Sequence, residues 1–147
     1  MSRVAFALAV AASPALAETP YPPALSALLA YHAAACTAQG GSLTTQPDAV
    51  TSAHLLGPEE PALILDSRKL SCSAAPAMFC GEGIGCELNV FVGETQHSLV
   101  VLDWSLEADD DRQLLVVTIA GELLNKPEPT THRMTWDSAT AALVALD

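Results

Sequence analysis

The chain has 147 residues, of which 6 are Lys or Arg and 17 are Asp or Glu, and its formal net charge is −11. This acidity argues against nucleic acid and anionic membrane surfaces as partners, because both are bound mainly through Lys and Arg. Half of the residues are hydrophobic, which is too many for an intrinsically disordered chain, and the length fits one domain with at most an appendage.

Residues 1–17 have the pattern of a secretory signal peptide. Arg3 provides a positive charge, residues 4–12 form an uncharged apolar run, and residues 15–17 read Ala-Leu-Ala, which is typical of a cleavage site. Nine helical residues reach only about 14 Å, whereas a membrane crossing needs roughly 30 Å. We therefore expect a periplasmic or secreted protein, cleaved after Ala17, with no membrane span in the remaining chain.

Cleavage would leave residues 18–147 as a single domain. The leader removes Arg3 and no other charged residue, so five basic residues would remain against 17 acidic ones. The domain that leaves the cytoplasm is therefore more acidic than the whole chain.

Four cysteines, Cys36, Cys72, Cys80 and Cys86, lie beyond the leader. An even number in an exported domain predicts two disulfides, which three connectivities could satisfy. We favour Cys80–Cys86, because the three glycines between them relieve the backbone strain of a small ring, and this choice leaves Cys36–Cys72. The alternatives are a metal site or a redox dithiol, but no two of these cysteines have C-x-x-C spacing.

A helix is predicted over residues 23–38. Pro22 and Pro23 suit the first turn of a helix, and Gly40-Gly41 suits its end. Between them, side chains recur at helical spacing along one face: Leu25, Leu28, Leu29, His32 and Cys36. We interpret His32 as a packed side chain of this stripe rather than as a ligand.

The rest of the chain has the pattern of short strands separated by turns. The predicted strands cover 50–56, 62–66, 88–92, 99–106, 114–120, 131–136 and 141–146, although the alanine-rich segment 139–146 could instead be helical. We expect an α+β domain of two layers, in which the N-terminal helix packs on an antiparallel meander of about five to seven short strands stapled by the disulfides.

Two finer predictions concern the segment 99–111. Alternation along 99–106 places Val100, Leu102, Trp104 and Leu106 on one apolar face of a single strand. The following run of three aspartates, residues 109–111, is interpreted as a solvated turn.

A resemblance to a known group extends over roughly residues 36–140. It is carried by the stretch 54–66 with its Leu-Ile-Leu-Asp strand, by Cys72, by Phe79-Cys80-Gly81, by Gly85-Cys86 and by Trp136-Asp137. These motifs resemble a group of uncharacterised small secreted proteins of proteobacteria, in which an acidic D-x-N-x-D-G-x-x-D loop precedes that strand. The resemblance implies no activity that can be carried over.

The corresponding loop of this chain is degenerate. Where Ca²⁺ would need side-chain oxygens at alternate positions, the chain has His54, Leu56, Pro58 and Ala62. Two neighbouring carboxylates, Glu59 and Glu60, cannot supply the six or more oxygens that Ca²⁺ requires. We therefore expect no calcium site at this loop.

The sequence contains no G-x-S-x-G, H-E-x-x-H or P-loop motif, and His32, His54, His97 and His132 are scattered along it. We predict no catalytic residue, no metal site and no cofactor. The expected function is that of an acidic, non-catalytic binding module whose partner is a basic protein or peptide. The alternatives are a small periplasmic hydrolase that uses a His and a carboxylate, and a structural envelope protein bound at a hydrophobic edge. The ligand and the oligomeric state stay open.

Overall fold

A computed structural model describes residues 20–146 of the chain. The predicted leader and its cleavage site lie outside these residues. The elements follow in this order: helix α1 Pro23–Ala38, then strands β1 Leu43–Thr45, β2 Val50–Ala53, β3 Ala62–Asp66, β4 Leu70–Cys72, β5 Cys80–Gly81, β6 Gly85–Val92, β7 Thr95–Val101, β8 Asp103–Asp109, β9 Arg112–Ile119, β10 Thr130–Asp137 and β11 Ala142–Ala145. Short 3₁₀ turns cover Ser67–Lys69 and Gly121–Leu124.

Helix α1 has the predicted bounds. Its first turn contains Pro23, and the N–H of Ala24 donates to the Glu94 carboxylate, 3.1 Å away, in the β6–β7 turn. Its end is a Schellman motif, in which Gly40 has a φ of +81° and the Gly41 N–H donates to the Cys36 carbonyl. Both ends of the helix are thus fixed by contacts that satisfy otherwise unpaired backbone groups.

All strand pairings are antiparallel and form three sheets. The small sheet pairs β1 with β4. The first large sheet runs β2-β3-β6, with β7 on the other edge of β6 and β5 paired to the beginning of β6. The second large sheet runs β8-β9-β10-β11. The α+β class is confirmed, but a single meander of five to seven strands is not, because residues 20–146 contain eleven strands in three sheets.

The core has two parts, and the domain therefore has three layers instead of the predicted two. The larger part fills the space between the two large sheets, where Ile64, Leu88 and Val90 pack with Leu115 and Val117. The smaller part lies between the first large sheet and α1. It contains Leu25 of the helix with Leu65 and Phe91 of the sheet, because alternate side chains of a strand point to opposite faces.

The predicted strand 99–106 is in fact two strands that belong to different sheets. Leu102 lies between β7 and β8, and its N–H donates to the Thr118 carbonyl at 2.7 Å. On the β7 side, Val101 is buried and Val100 is 36% exposed. The predicted shared face was therefore wrong before Leu102, whereas Trp104 and Leu106 do pack against the core.

Aspartates form the turns of both hairpins in the second large sheet. The β8–β9 hairpin turns at Asp110, which has a φ of +52°, so the predicted acidic turn is confirmed. The β10–β11 turn is held by the Asp137 carboxylate, which accepts from the Ala139 N–H and from the Thr140 hydroxyl. Segment 142–145 is a strand, so the helical alternative for this region is wrong.

Both predicted disulfides are present. Cys36–Cys72 links α1 to β4, and Cys80–Cys86 links the paired strands β5 and β6. Among residues 20–146, no helix combines the length and the apolar character that crossing a membrane would require.

Candidate functional site

A cavity of about 560 Å³ opens where three connections meet. It is lined by residues 55–60 of the β2–β3 loop, by Asp111 and Arg112 of the β8–β9 hairpin, and by Trp136 and Ser138 at the β10–β11 turn. We call it the acidic cleft. It brings the degenerate loop together with Asp111 of the aspartate run and Trp136 of the Trp-Asp pair.

The β2–β3 loop is pinned in place by β9. The Gln113 N–H donates to the His54 carbonyl at 2.8 Å, and the Gln113 side-chain oxygen accepts from the His54 N–H at 2.8 Å. Leu55, next along the loop, is 1% exposed and belongs to the larger core. These contacts hold the following residues, Glu59 and Glu60, opposite the hairpin.

The charges of the acidic cleft are not balanced. Glu59, Glu60 and Asp111 are exposed, and no cation of residues 20–146 forms a salt bridge with them. Arg112 also lines the cleft, but its Nε donates to Asp109 at 3.0 Å and its Nη1 to the Thr135 hydroxyl at 3.2 Å. The cleft therefore presents a net negative rim beside the mostly buried indole of Trp136.

Other cations of the described chain are also engaged with acidic side chains. Arg68 pairs with Asp66 and Asp103, Lys69 with Asp48, and Arg133 with Glu107. The Lys69 hydrogen bond lowers the pKa of Asp48, and the Arg68 hydrogen bond lowers the pKa of Asp103. Because these basic residues are neutralised locally, the excess negative charge is left on carboxylates such as those of the cleft.

The most buried carboxylate, Asp66, has a structural environment. It accepts hydrogen bonds from the Arg68 backbone and guanidinium and, at 2.8 Å, from the indole N–H of Trp104. Burial is the largest single influence and raises its pKa, but the hydrogen bonds from Arg68 and Trp104 together lower that pKa below the usual value. A carboxylate held ionised by satisfied donors is a structural anchor rather than a free catalytic base.

The four histidines lie on separate elements. His54 is in the β2–β3 loop and His132 is on β10, whereas His97 on β7 accepts at Nδ1, 3.4 Å away, from the Leu143 N–H of β11. Within residues 20–146, no three His, Cys, Asp or Glu side chains are grouped so that they could hold a metal ion.

His32 is buried, as its place in the helix stripe predicted, and it lines a second cavity of about 220 Å³. Ser67 and Glu87 line the same cavity, which sequence reasoning missed because these residues come from three distant segments. Nε2 of His32 and Oγ of Ser67 are not hydrogen-bonded to each other, since neither has a partner among the described residues. The pair therefore lacks, in this structure, the hydrogen bond by which a histidine activates a serine nucleophile. The alternative of a hydrolase that uses a His and a carboxylate stays a prediction.

The large exposed hydrophobic side chains, which a hydrophobic docking edge would need, are Tyr31, Val100, Leu123 and Leu146. They belong to four different parts of the fold: α1, β7, the second 3₁₀ turn and the end of β11. No element of the described chain carries more than one of them.

Comparison with known proteins finds no matching family model, no similar curated protein and no similar solved structure. The resemblance to secreted proteobacterial proteins accordingly stays a prediction from the sequence motifs, and the site has to be interpreted from its own chemistry.

Proposed function

We propose that the protein is an exported, non-catalytic binding module that captures a basic protein or peptide in the acidic cleft. The observation that carries the proposal is a set of three carboxylates, Glu59, Glu60 and Asp111, around a cavity of about 560 Å³. None of the three has a salt-bridge partner among residues 20–146. Lys or Arg side chains of a partner would pair with this rim. The net charge of −11 would also steer such a partner toward the molecule from a distance.

The test measures binding of a short Lys-rich peptide to the purified protein by calorimetry. Its counterpart with Glu in place of Lys serves as the peptide control. We expect the Lys-rich peptide to bind, with an affinity that falls as salt is raised, because exposed charges are screened beyond about 8–10 Å at physiological ionic strength. The Glu-rich peptide should not bind.

A matched pair of variants locates the site. The cleft variant carries Glu59→Gln, Glu60→Gln and Asp111→Asn, and the control carries Glu82→Gln, Glu122→Gln and Glu128→Gln, which are exposed acids outside the cleft lining. Both lose three charges. We expect the cleft variant to bind the Lys-rich peptide at least about fivefold more weakly, corresponding to about 1 kcal/mol. Equal losses in the two variants would show general attraction to the acidic surface and contradict a cleft site.

Periplasmic or secreted localisation is part of the same proposal. Two disulfides support it, because such bonds form and persist in oxidising compartments. Expression of the full chain in a bacterial host, followed by intact-mass analysis of the exported fraction, should give a protein that begins at Glu18. Accumulation in the cytoplasm with residues 1–17 attached would contradict it.

A further inference from the structure

We infer that the Cys80–Cys86 disulfide is a site of thiol–disulfide exchange, at which an external dithiol reductant opens a latch that fastens residues 73–84 to β6. We call these residues the strap. The protein is then a substrate of the reductant and not a reductant itself, since its cysteines lack the C-x-x-C spacing of redox dithiols. None of the four cysteines lines the acidic cleft, so the inference does not rest on the proposed function.

The two disulfides differ in their access to solvent. Cys36 and Cys72 are both 0% exposed, so the bond between them lies in the interior. In the other bond, Cys86 is 8% exposed but Cys80 is an exposed residue. Exchange begins when a thiolate attacks one of the two sulfur atoms, so access decides which bond reacts while the protein stays folded. Cys80 therefore gives a reductant its point of attack.

The strap depends on the Cys80–Cys86 bond at one of its ends. None of residues 73–85 is buried. At the first end, the Ser73 N–H donates to the Ser42 carbonyl at 3.1 Å, directly after the buried Cys36–Cys72 bond. At the second end, strand β5 has only two residues, and the disulfide joins the first of them to β6. A ladder this short is marginal without the covalent link.

Phe79 is the strap side chain that an open latch would release. Its ring contacts His32 of α1 edge to face, with ring centroids 5.0 Å apart, and it packs against the smaller core while staying partly exposed. Phe79 directly precedes Cys80, and with Met78 it lines the second cavity, of about 220 Å³. Cleavage of the bond therefore removes the covalent restraint next to this ring and lets the strap move away from the cavity.

The rest of the fold rests on other contacts. No strap residue is among the buried residues of either part of the core. The Cys36–Cys72 bond continues to join α1 to β4. It also constrains the unfolded chain more than a bond between residues only 6 apart does. We therefore expect the partly reduced protein to stay folded with a loosened strap.

The exchange has two steps and transfers two electrons. In the first, a thiolate of the reductant attacks Sγ of Cys80 and a mixed disulfide forms. The Cys80–Cys86 bond breaks, and Sγ of Cys86 leaves as a thiolate that takes a proton from water. In the second, the other thiol of the reductant gives up its proton and attacks the mixed disulfide. The reductant is thereby oxidised to its own disulfide, and Cys80 is released and protonated to a thiol.

The first test measures which disulfide is reduced in the folded protein. The exported, oxidised protein is treated with dithiothreitol near neutral pH, samples are alkylated with N-ethylmaleimide over time, and the labelled cysteines are identified by peptide mass analysis. We expect Cys80 and Cys86 to be labelled together, at least about tenfold faster than Cys36 and Cys72. In concentrated urea, where structure protects neither bond, the two rates should become similar. Equal rates in the folded protein, or the same preference in urea, would overturn the inference.

The second test identifies the attacked sulfur. The reductant is a thioredoxin in which the second cysteine of the C-x-x-C pair is replaced by Ser, so that the exchange stops at the mixed disulfide. We expect a covalent complex in which the reductant is joined to Cys80. Attachment to Cys86, or to neither cysteine, would contradict attack at the exposed end of the bond.

The third test follows the strap by amide hydrogen exchange. It compares the oxidised protein with the partly reduced protein, and with a variant that carries Cys80→Ala and Cys86→Ala and needs no reductant. The amides of residues 78 and 80 donate to carbonyls of the strap, and we expect them to lose their protection in both opened forms while β9 stays protected. Strap amides that keep their protection would show that the bond is no latch. Loss of protection in β9 as well would show that the bond supports the whole fold, which also contradicts the inference.

Discussion

Asp66 joins the two large sheets through polar contacts. It ends β3 of the first sheet, and its carboxylate, 3% exposed, accepts from the indole of Trp104 on β8 of the second sheet. Arg68 extends the contact to Asp103 at the start of β8. Both Asp66 oxygens accept hydrogen bonds, which is the condition under which a buried charge is tolerated.

The substitution Asp66→Asn should destabilise the protein by about 2–3 kcal/mol. It removes the charge that faces Arg68, and it places the amide hydrogens of Asn against the N–H donors of Arg68 and Trp104. Asp103→Asn is the control, since that side chain is 74% exposed and its ion pair with Arg68 is worth less than about 1 kcal/mol. Urea unfolding measures both. Equal decreases in the free energy of unfolding for the two variants would show that burial of the Asp66–Arg68 ion pair does not strengthen it.

The same residue predicts a pH dependence. The pKa of Asp66 is lower in the folded protein than its ordinary value of 3.8, so at acid pH the unfolded chain binds more protons. The stabilisation is therefore present above about pH 4 and is lost as the pH falls through the folded pKa. Between about pH 5 and pH 3, the Asp66→Asn variant should lose less unfolding free energy than the parent protein. If the unfolding free energy of the variant and of the parent protein fell in parallel, the pH dependence could not be assigned to Asp66.

At the scale of elements, the beginning of β6 approaches the end of β7 so closely that a side chain there would clash. Gly85 has a φ of +103°, and a Cβ added there would lie 2.0 Å from the Val101 carbonyl oxygen. Gly83, in the same disulfide ring, has a φ of +76° but open space around an added Cβ. Comparing the two glycines therefore distinguishes the cost of a steric clash, which only Gly85 would have, from the cost of a positive φ, which both would have.

Gly85→Ala should accordingly cost more stability than Gly83→Ala. Both variants bear the strain of a positive φ, on the order of 1 kcal/mol. Gly85→Ala also forces β6 away from β7, which adds about 1–3 kcal/mol as in an overpacked core. Thermal unfolding of the two variants, compared with the parent, gives the difference. A Gly83→Ala variant as unstable as Gly85→Ala would mean that the close approach of β6 and β7 is flexible.

The elements also show where sequence reasoning succeeds and where it stops. Helix α1 was predicted with its observed bounds, because its stripe and its Pro and Gly signals are all local. The break at Leu102 was missed because residues 99–102 are all apolar, so alternation cannot choose which of them faces the core. Strands β1, β4 and β5 have two or three residues each, too few to show a period, and they form where disulfides bring the chain together.

The acidic cleft and the second cavity also differ in how far the sequence predicts them. The carboxylates of the acidic cleft were visible in the sequence as an acidic turn and a Glu pair, but their proximity depends on Gln113 binding the His54 backbone. The second cavity, beside His32, had no sequence signal beyond His32, because Ser67, Phe79 and Glu87 are brought to it by tertiary packing and covalent links.

At the scale of the whole molecule, the two disulfides should contribute unequally to stability. Cys36–Cys72 spans 36 residues and Cys80–Cys86 spans 6. In the chain-entropy account, the longer loop restricts the unfolded chain more. Cys36→Ala with Cys72→Ala should cost about 4 kcal/mol, and Cys80→Ala with Cys86→Ala about 2 kcal/mol. Denaturant unfolding compares the two double variants. A larger loss for the small ring would show that the ring acts through native packing at β5 and β6.

The positions of the two tryptophans give the molecule a built-in optical readout. The Trp104 indole is tied to a carboxylate in the interior, whereas Trp136 borders the acidic cleft. Indole emission responds to the polarity of its surroundings and to nearby charges, so a guest in the cleft would shift or quench the Trp136 signal while Trp104 served as an internal reference. In a Trp104→Phe protein, cleft occupancy could be followed by fluorescence from a single chromophore, without attaching a label.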